Sequence, residues 1–181
     1  DGTVMNYDKI IATAAQEMRA SGIRKFFDIA AEMKDCISLG VGEPDFKTPW
    51  AVRDAGIRNL EMGQTRYTSN SGMKELRTEI CKYLDRRFDL HYDPDSQVLV
   101  TVGGSEAIDI GIRALVNPGD EVIIPEPCYV CYDPITHLTG RKVVSIPLQE
   151  KNQFRLTAEE LKAAITPRTK MLILPFPCNP T

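Results

Sequence analysis

Four short, almost wholly apolar runs recur through the second half of the chain, at Val98–Val102, Glu121–Pro125, Lys142–Pro147 and Lys170–Pro175. Stretches with helical spacing lie between them, at roughly Ser105–Val116, Tyr129–Thr139 and Thr157–Ile165. Strands that alternate with helices and have no polar face must be buried on both sides. The pattern predicts an α/β fold of three layers, with helices on both faces of a mostly parallel sheet. Ligands of such sheets bind at the carboxyl ends of the strands. Here those ends are Gly103–Ser105, Glu126–Tyr129 and Phe176–Thr181.

The first half is less regular. Tyr7–Ala20 reads as a modest amphipathic helix with Ile10, Ile11, Ala14, Ala15 and Met18 on one side. Ile23–Lys34 has no clean period and is either a short helix or a segment that packs on another part of the protein. Cys36–Gly40 reads as a short strand, followed by a turn-rich loop, Val41–Pro49. Thr48 and Pro49 suit the cap and first position of a helix that runs to about Met62, with Gly63 closing it. Gln64–Gly72 is a polar loop long enough to suggest function. Ser71 then opens a helix whose face is Met73, Leu76, Ile80, Leu84 and Phe88.

Length and charge narrow the class. The 181 residues are enough for a real core, and a net charge of −3 gives no reason to expect nucleic acid as a partner. No run approaches the roughly 18 apolar residues of a membrane span, and the N-terminus shows no signal-peptide pattern. A cytoplasmic protein without membrane contact is the expectation. The five cysteines do not suit a secreted disulfide framework. Cys128 and Cys131 have redox or zinc spacing, with His137 and Cys178 as the remaining plausible ligands. Two small half-buried residues beside a loop explain that pair better, because the spacing to the other two is irregular.

The strand ends carry the chemistry. The turn Gly103–Glu106 would aim several N–H groups at one point, at the positive end of a helix dipole, with the Ser105 hydroxyl beside them. The plain alternative is a strand-to-helix turn with Ser105 as cap. A phosphate there requires the Glu106 carboxylate to face away. Tyr129 offers a flat ring for a flat ligand, or is a rim aromatic. Asn179 can donate to and accept from a ligand, or simply starts a turn before Pro180.

Taken together and in order, the segments Ile37–Pro49, Arg66–Arg77, Val102–Ala107, Asn117–Tyr129 and Asn179–Thr181 resemble those of fold-type I pyridoxal-phosphate-dependent aminotransferases of the class I/II group. The resemblance covers the chain from about Ile23 to its end. It implies a pyridoxal 5′-phosphate cofactor and amino-acid and 2-oxo acid substrates, in amino-acid metabolism. It implies that residues 1–48 form an N-terminal arm and part of a small domain, and that 49–181 form the first part of the large cofactor-binding domain. By position, Gly104, Ser105 and Glu106 hold the cofactor phosphate, Tyr129 stacks on its ring, and Asn179 binds its phenolic oxygen near the substrate carboxylate. Gly42 contacts the substrate carboxylate. Ile23 and Phe26 fall in a segment that closes over substrate, and Tyr67 reaches the partner's cofactor phosphate in a homodimer.

The same resemblance puts the Schiff-base lysine beyond Thr181, so no catalytic residue is expected in this chain and the isolated 181 residues are expected not to transaminate. Lys142 and Lys170 begin strands, at the wrong edge of the sheet. The chain, stopping six residues after the run that ends at Pro175, reads as a fragment. A carbon–sulfur lyase or cyclopropane-carboxylate synthase shares most of these motifs. A ligand-sensing domain of the same fold and a redox module on Cys128 and Cys131 are the remaining alternatives.

Overall fold

Val122, Ile123 and Ile124 have none of their surface exposed, and they form the middle of the central strand. The computed structural model describes residues 6–18, 23–37, 40, 42 and 45–179, and of 23–25 the backbone only. These group into two compact units, Asp1–Met18 with Thr101–Thr181, and Arg19–Val100. The strands are β1 (Glu121–Glu126), β2 (Lys142–Pro147) and β3 (Thr169–Leu172). The helices are α1 (Thr13–Gln16), α2 (Ile23–Glu32), α3 (Trp50–Glu61), α4 (Lys74–Phe88), α5 (Gly104–Leu115), α6 (Tyr132–Leu138) and α7 (Ala158–Ala164).

In the unit that contains the sheet, the strand order is β2-β1-β3 and both pairings are parallel. Glu121 pairs with Lys142 and Glu126 with Pro147, while Lys170 is an extra residue bulged out of the β1–β3 register. Alternation along β1 serves two faces. Val122 and Ile124 join Ile112 and Val116 of the α5 region, with Tyr132 and Ile135 of α6 packed against them. Ile123 faces the other way, onto Ile146, Leu148 and the α7 residues Leu161 and Ala164. Each such fully buried aliphatic side chain contributes about 1.5–3 kcal/mol relative to exposure. The expected parallel α/β arrangement with helices on both faces is therefore what forms.

The amino edge of this sheet is tied by one buried carboxylate. Glu121, 2 % exposed, accepts from Thr166 Oγ1 at 2.6 Å, Arg168 Nη2 at 3.1 Å and Lys142 Nζ at 3.4 Å. The starts of all three strands thus converge on Glu121. Lys142 is engaged in this structural pairing at the edge away from the strand ends that carry Tyr129 and Asn179.

Several elements differ from the expectations. Val98–Val102 forms no strand. The Val100 N–H goes to Ser71 O at 3.1 Å and the Val102 N–H to the Glu106 side chain, so the run's donors go to a loop and a helix instead of a ladder. Tyr7–Ala20 is not one helix: a 3-10 turn at Tyr7–Lys9 and the single turn α1 replace it as far as residue 18. The Gln16 amide donates to Asp8 O at 2.6 Å and Ile11 O at 2.7 Å, taking carbonyls that a continuous helix would use. Residues 19–22 lie outside the described residues.

In the unit Arg19–Val100, Ile23–Glu32 is helical throughout. Cys36 and Ile37 are not strand, and positions 38 and 39 of that expected element lie outside the described residues. The cap of α3 is Pro49, not Thr48, and Gly63 closes the helix with φ +66° as expected. Helix α4 starts at Lys74 rather than at Ser71, because Gly72 first turns the chain at φ +93°. Its buried side chains are Arg77 and Cys81, while Met73, Leu76 and Phe88 stay exposed. Arg77 replaces the missing apolar anchor by donating to the Gly72 carbonyl at 3.3 Å and to that of Pro94.

Candidate functional site

The carboxyl edge of the sheet gathers three segments. The first is the turn into α5. Gly103 caps this helix with φ +134°, a conformation that side-chain-bearing residues rarely adopt. Ser105 is therefore the second helical residue and not the cap, and no side-chain cap hydrogen bond is made there. The first hydrogen bond of the helix is Ala107 N–H to Gly103 O at 3.3 Å. Among the described residues, the N–H groups of Gly104, Ser105 and Glu106 have no partner. A β-carbon built on Gly103 or Gly104 would meet nothing within 4 Å, so this face is open to a ligand.

Glu106 lies where a carboxylate could spoil an anion site. Its Oε2 instead accepts the Val102 N–H at 2.5 Å, and Thr101 Oγ1 donates to Gly103 O at 2.8 Å. The carboxylate is thereby held on the chain that enters the turn, as a phosphate at the helix start requires.

The second segment follows β1. Tyr129 is 41 % exposed, and its ring meets Tyr132 edge to face at 5.8 Å between centroids and 81° between planes. Tyr132 belongs to the core cluster, so the contact gives an exposed ring a fixed neighbour. Helix α6 begins at Tyr132, not at Tyr129, which leaves Tyr129 in the loop. The third segment follows β3: the Cys178 thiol donates to Pro127 O at 3.3 Å, which brings Asn179 into the neighbourhood of the Tyr129 loop. The structure thus brings Gly104, Ser105, Glu106, Tyr129 and Asn179 to one edge.

The remaining predicted residues belong to the unit Arg19–Val100. Tyr67 stands fully exposed in the loop before α4, beside Arg66 and Ser69 on an open groove of about 900 Å³. Gly42 is exposed, with open space around it. Ile23 begins α2, but its side chain lies outside the described residues, and Phe26 on the same helix is 71 % exposed.

The cysteine pair has the wrong electrostatics for a redox site. Cys131 caps α6, as such a site would want. Burial, reinforced by the Glu126 charge, pushes the Cys128 thiol up to about 11, away from the low values of reactive thiols. Burial also raises Cys131, with the nearby Ser105 hydroxyl acting in the opposite direction. Among the described residues, the His, Cys, Asp and Glu side chains close enough to share a metal are Asp85, Asp89 and His91, all exposed. His137 pairs with Glu17 at 3.0 Å.

Sequence reasoning gave no structural role to Arg77 or Glu121. The Cys178–Pro127 link was also missed, because nothing local signals a contact across two strand ends.

Comparison with known proteins shows the family of the chain. Residues 34–181 match the family model described as aminotransferase class I and II. The Bacillus subtilis (strain 168) protein YugH, which is named as an aminotransferase, is 54 % identical over 166 residues, covering 92 % of this chain and 43 % of that protein. The aspartate aminotransferase of Pyrococcus abyssi (strain GE5 / Orsay) is 47 % identical over 161 residues, covering 89 % of this chain and 41 % of that protein. The crystal structure of the aspartate aminotransferase from Rhizobium meliloti superposes with a TM-score of 0.86 at 39 % identity, covering 94 % of this chain and 44 % of that one. The chain spans less than half the length of these relatives. By its sequence and by the fold of its sheet, the chain belongs to the class I and II aminotransferase family.

Proposed function

We propose that this chain supplies the cofactor-anchoring part of a pyridoxal-phosphate-dependent enzyme that moves an amino group between an L-amino acid and a 2-oxo acid. The observation that carries the reading is the run of unpartnered N–H groups at Gly104, Ser105 and Glu106, on the edge that also carries Tyr129 and Asn179. The names of the relatives, aspartate and aromatic-amino-acid aminotransferases among them, support the substrate class.

Pyridoxal phosphate, when bound, draws electrons from the Cα of an amino acid and so lowers the cost of breaking a bond there. The residues of this chain do the holding. The backbone donors of α5 and the Ser105 hydroxyl suit a phosphate monoester, whose charge the helix dipole also favours. The Tyr129 ring suits the face of a pyridine, kept upright by Tyr132. The Asn179 carboxamide suits the phenolic oxygen. Gly42 and Ile23 belong to the substrate side of this proposal, and Tyr67, exposed and on a polar loop, is its contact to the cofactor of a second subunit. Lys142 pairs with Glu121 at the amino edge of the sheet, away from the strand ends that carry Tyr129 and Asn179, and is not assigned the proton-transferring role. The cytoplasm is the proposed compartment: all five cysteines are free thiols, the state that a reducing environment keeps.

The test is made on the full-length protein. Pyridoxal 5′-phosphate should bind about tenfold or more tightly than pyridoxal, because only the former has a phosphate for the charge-assisted donors of α5. The loaded protein should consume an L-amino acid only when a 2-oxo acid is present. Ammonia released without any acceptor would point to a lyase instead, and equal binding of ester and alcohol would remove the phosphate site from the reading.

A further inference from the structure

The clearest unexplained arrangement at the carboxyl edge is the one around Glu106. It is the third residue of α5, the position whose carboxylate ordinarily reaches back to the N–H of the cap residue. Here it reaches one residue further, past Gly103, to the N–H of Val102 at 2.5 Å. Two consequences follow. The entering chain is tied to the first turn of the helix across Gly103, the residue whose φ of +134° makes the turn. The donors of Gly104, Ser105 and Glu106 are also left free, with the Gly103 carbonyl held by Thr101 Oγ1 at 2.8 Å. A carboxylate in the first helical turn competes with a phosphate for the same positive dipole end.

We propose that the Glu106 side chain is a positioning residue with two opposed effects: its hydrogen bond to Val102 holds the phosphate cradle in shape, and its charge weakens the cradle's grip on the phosphate. The proposal rests on the cofactor reading above and adds a role for the side chain to the backbone contact given there. Reach and charge can be separated by substitution. Glu106→Gln keeps an oxygen at the same distance and removes the charge. Glu106→Asp keeps the charge but shortens the arm by one methylene, so Val102 N–H is no longer reached.

The experiment measures dissociation constants of pyridoxal 5′-phosphate, and of inorganic phosphate as its competitor, on the full-length apoprotein and both variants. Glu106→Gln should bind both about threefold to tenfold more tightly than the unaltered protein, as expected for removing one charge several ångströms from a phosphate near the surface. That gain should shrink with added salt. Glu106→Asp should bind about threefold to tenfold more weakly, with little change in the effect of salt, because what it loses is a hydrogen bond. Both variants keep a residue tolerated in a first helical turn, and circular dichroism checks that they fold. Equal affinities in all three proteins, or a shift of both variants in the same direction, overturns the positioning role while the cradle stands. If the unaltered protein fails to distinguish pyridoxal 5′-phosphate from pyridoxal and inorganic phosphate does not compete, the cradle and the role of Glu106 both fall.

Discussion

The Cys178 thiol donates to the Pro127 carbonyl at 3.3 Å, joining the loop after β3 to the loop after β1. The two loops carry Asn179 and Tyr129, so a contact made by a small half-buried residue ties together the loops of two residues of the proposed cofactor site. The cysteines at this edge therefore read as packing groups rather than as reactive thiols.

That reading has a kinetic consequence for Cys128, whose thiol is pushed up to about 11 by burial and then by the Glu126 charge. At pH 7.5 it holds about 300-fold less thiolate than a free cysteine near 8.5. The higher intrinsic nucleophilicity of a more basic thiolate recovers part of this. Alkylation by iodoacetamide, followed by mass spectrometry, should be about 20-fold or more slower at Cys128 than for free cysteine. Exposed Cys36 should be labelled well before it. Cys128 reacting as fast as free cysteine would revive the redox reading.

Glu121 makes the sheet acid-sensitive. Its hydrogen bond from Thr166, and then the Lys142 and Arg168 cations, hold its carboxyl below the usual glutamate range against the opposing effect of burial. A depressed carboxyl stabilises the fold fully above its unfolded value, about 4.3, and that contribution is lost as pH falls through the lower folded value. The urea midpoint should therefore drop between about pH 5 and pH 3. In Glu121→Gln the drop should be smaller and the midpoint at neutral pH lower. An unchanged pH dependence in the variant would remove Glu121 as its source.

Gly72 is fixed by both conformation and space. Its φ is +93°, and a β-carbon there would lie 2.7 Å from Val100 Cβ and 2.9 Å from its Cγ2. The closest atom is the Val100 β-carbon, which side-chain rotation does not move, and the Val100 backbone N–H is bonded to Ser71 O, so relief requires shifting that backbone. Gly72→Ala should destabilise the Arg19–Val100 unit by about 1–3 kcal/mol, measured by urea denaturation. A neutral result would mean that the turn relaxes freely.

How far the residues announced their structure depends on the range of the cause. β2 starts and ends where its apolar run does, and β1 extends only one residue past its run, because alternation and flanking turns are local. Val98–Val102 has the same β-branched composition but forms no ladder, since a strand also needs a partner. Helix starts moved by up to three residues at α4 and α6, where glycine conformation and loop geometry outrank capping preference. The buried charges were the least legible. Glu121 is satisfied by Thr166, 45 positions away, and Arg77 by Pro94, 17 away, so neither partner lies within a local window. The open donors of the Gly-Gly-Ser turn were legible because they are its own backbone, whereas the diversion of Glu106 to Val102 depends on how the chain enters the turn.

The edge-to-face pair of Tyr129 and Tyr132 separates ring from hydroxyl in the proposed site. Tyr129 lies 5.8 Å and 81° from Tyr132 and is 41 % exposed. If its face covers a pyridine, its contribution is that of an aromatic contact, about 0.5–1.5 kcal/mol beyond area burial. Tyr129→Phe keeps the ring and should leave the affinity of the full-length protein for pyridoxal 5′-phosphate within about twofold. Tyr129→Leu keeps the apolar bulk but loses the flat face, and should weaken binding by about twofold to tenfold, the equivalent of that contact energy. Tyr132→Leu should give a smaller loss in the same direction, because it frees the ring without removing it. Fluorescence titration of the apoprotein reads all three. A Tyr129→Leu variant that binds as tightly as the unaltered protein would show that the ring does not face the cofactor. A loss in Tyr129→Phe as large as that in Tyr129→Leu would mean that the hydroxyl, not the face, makes the contact.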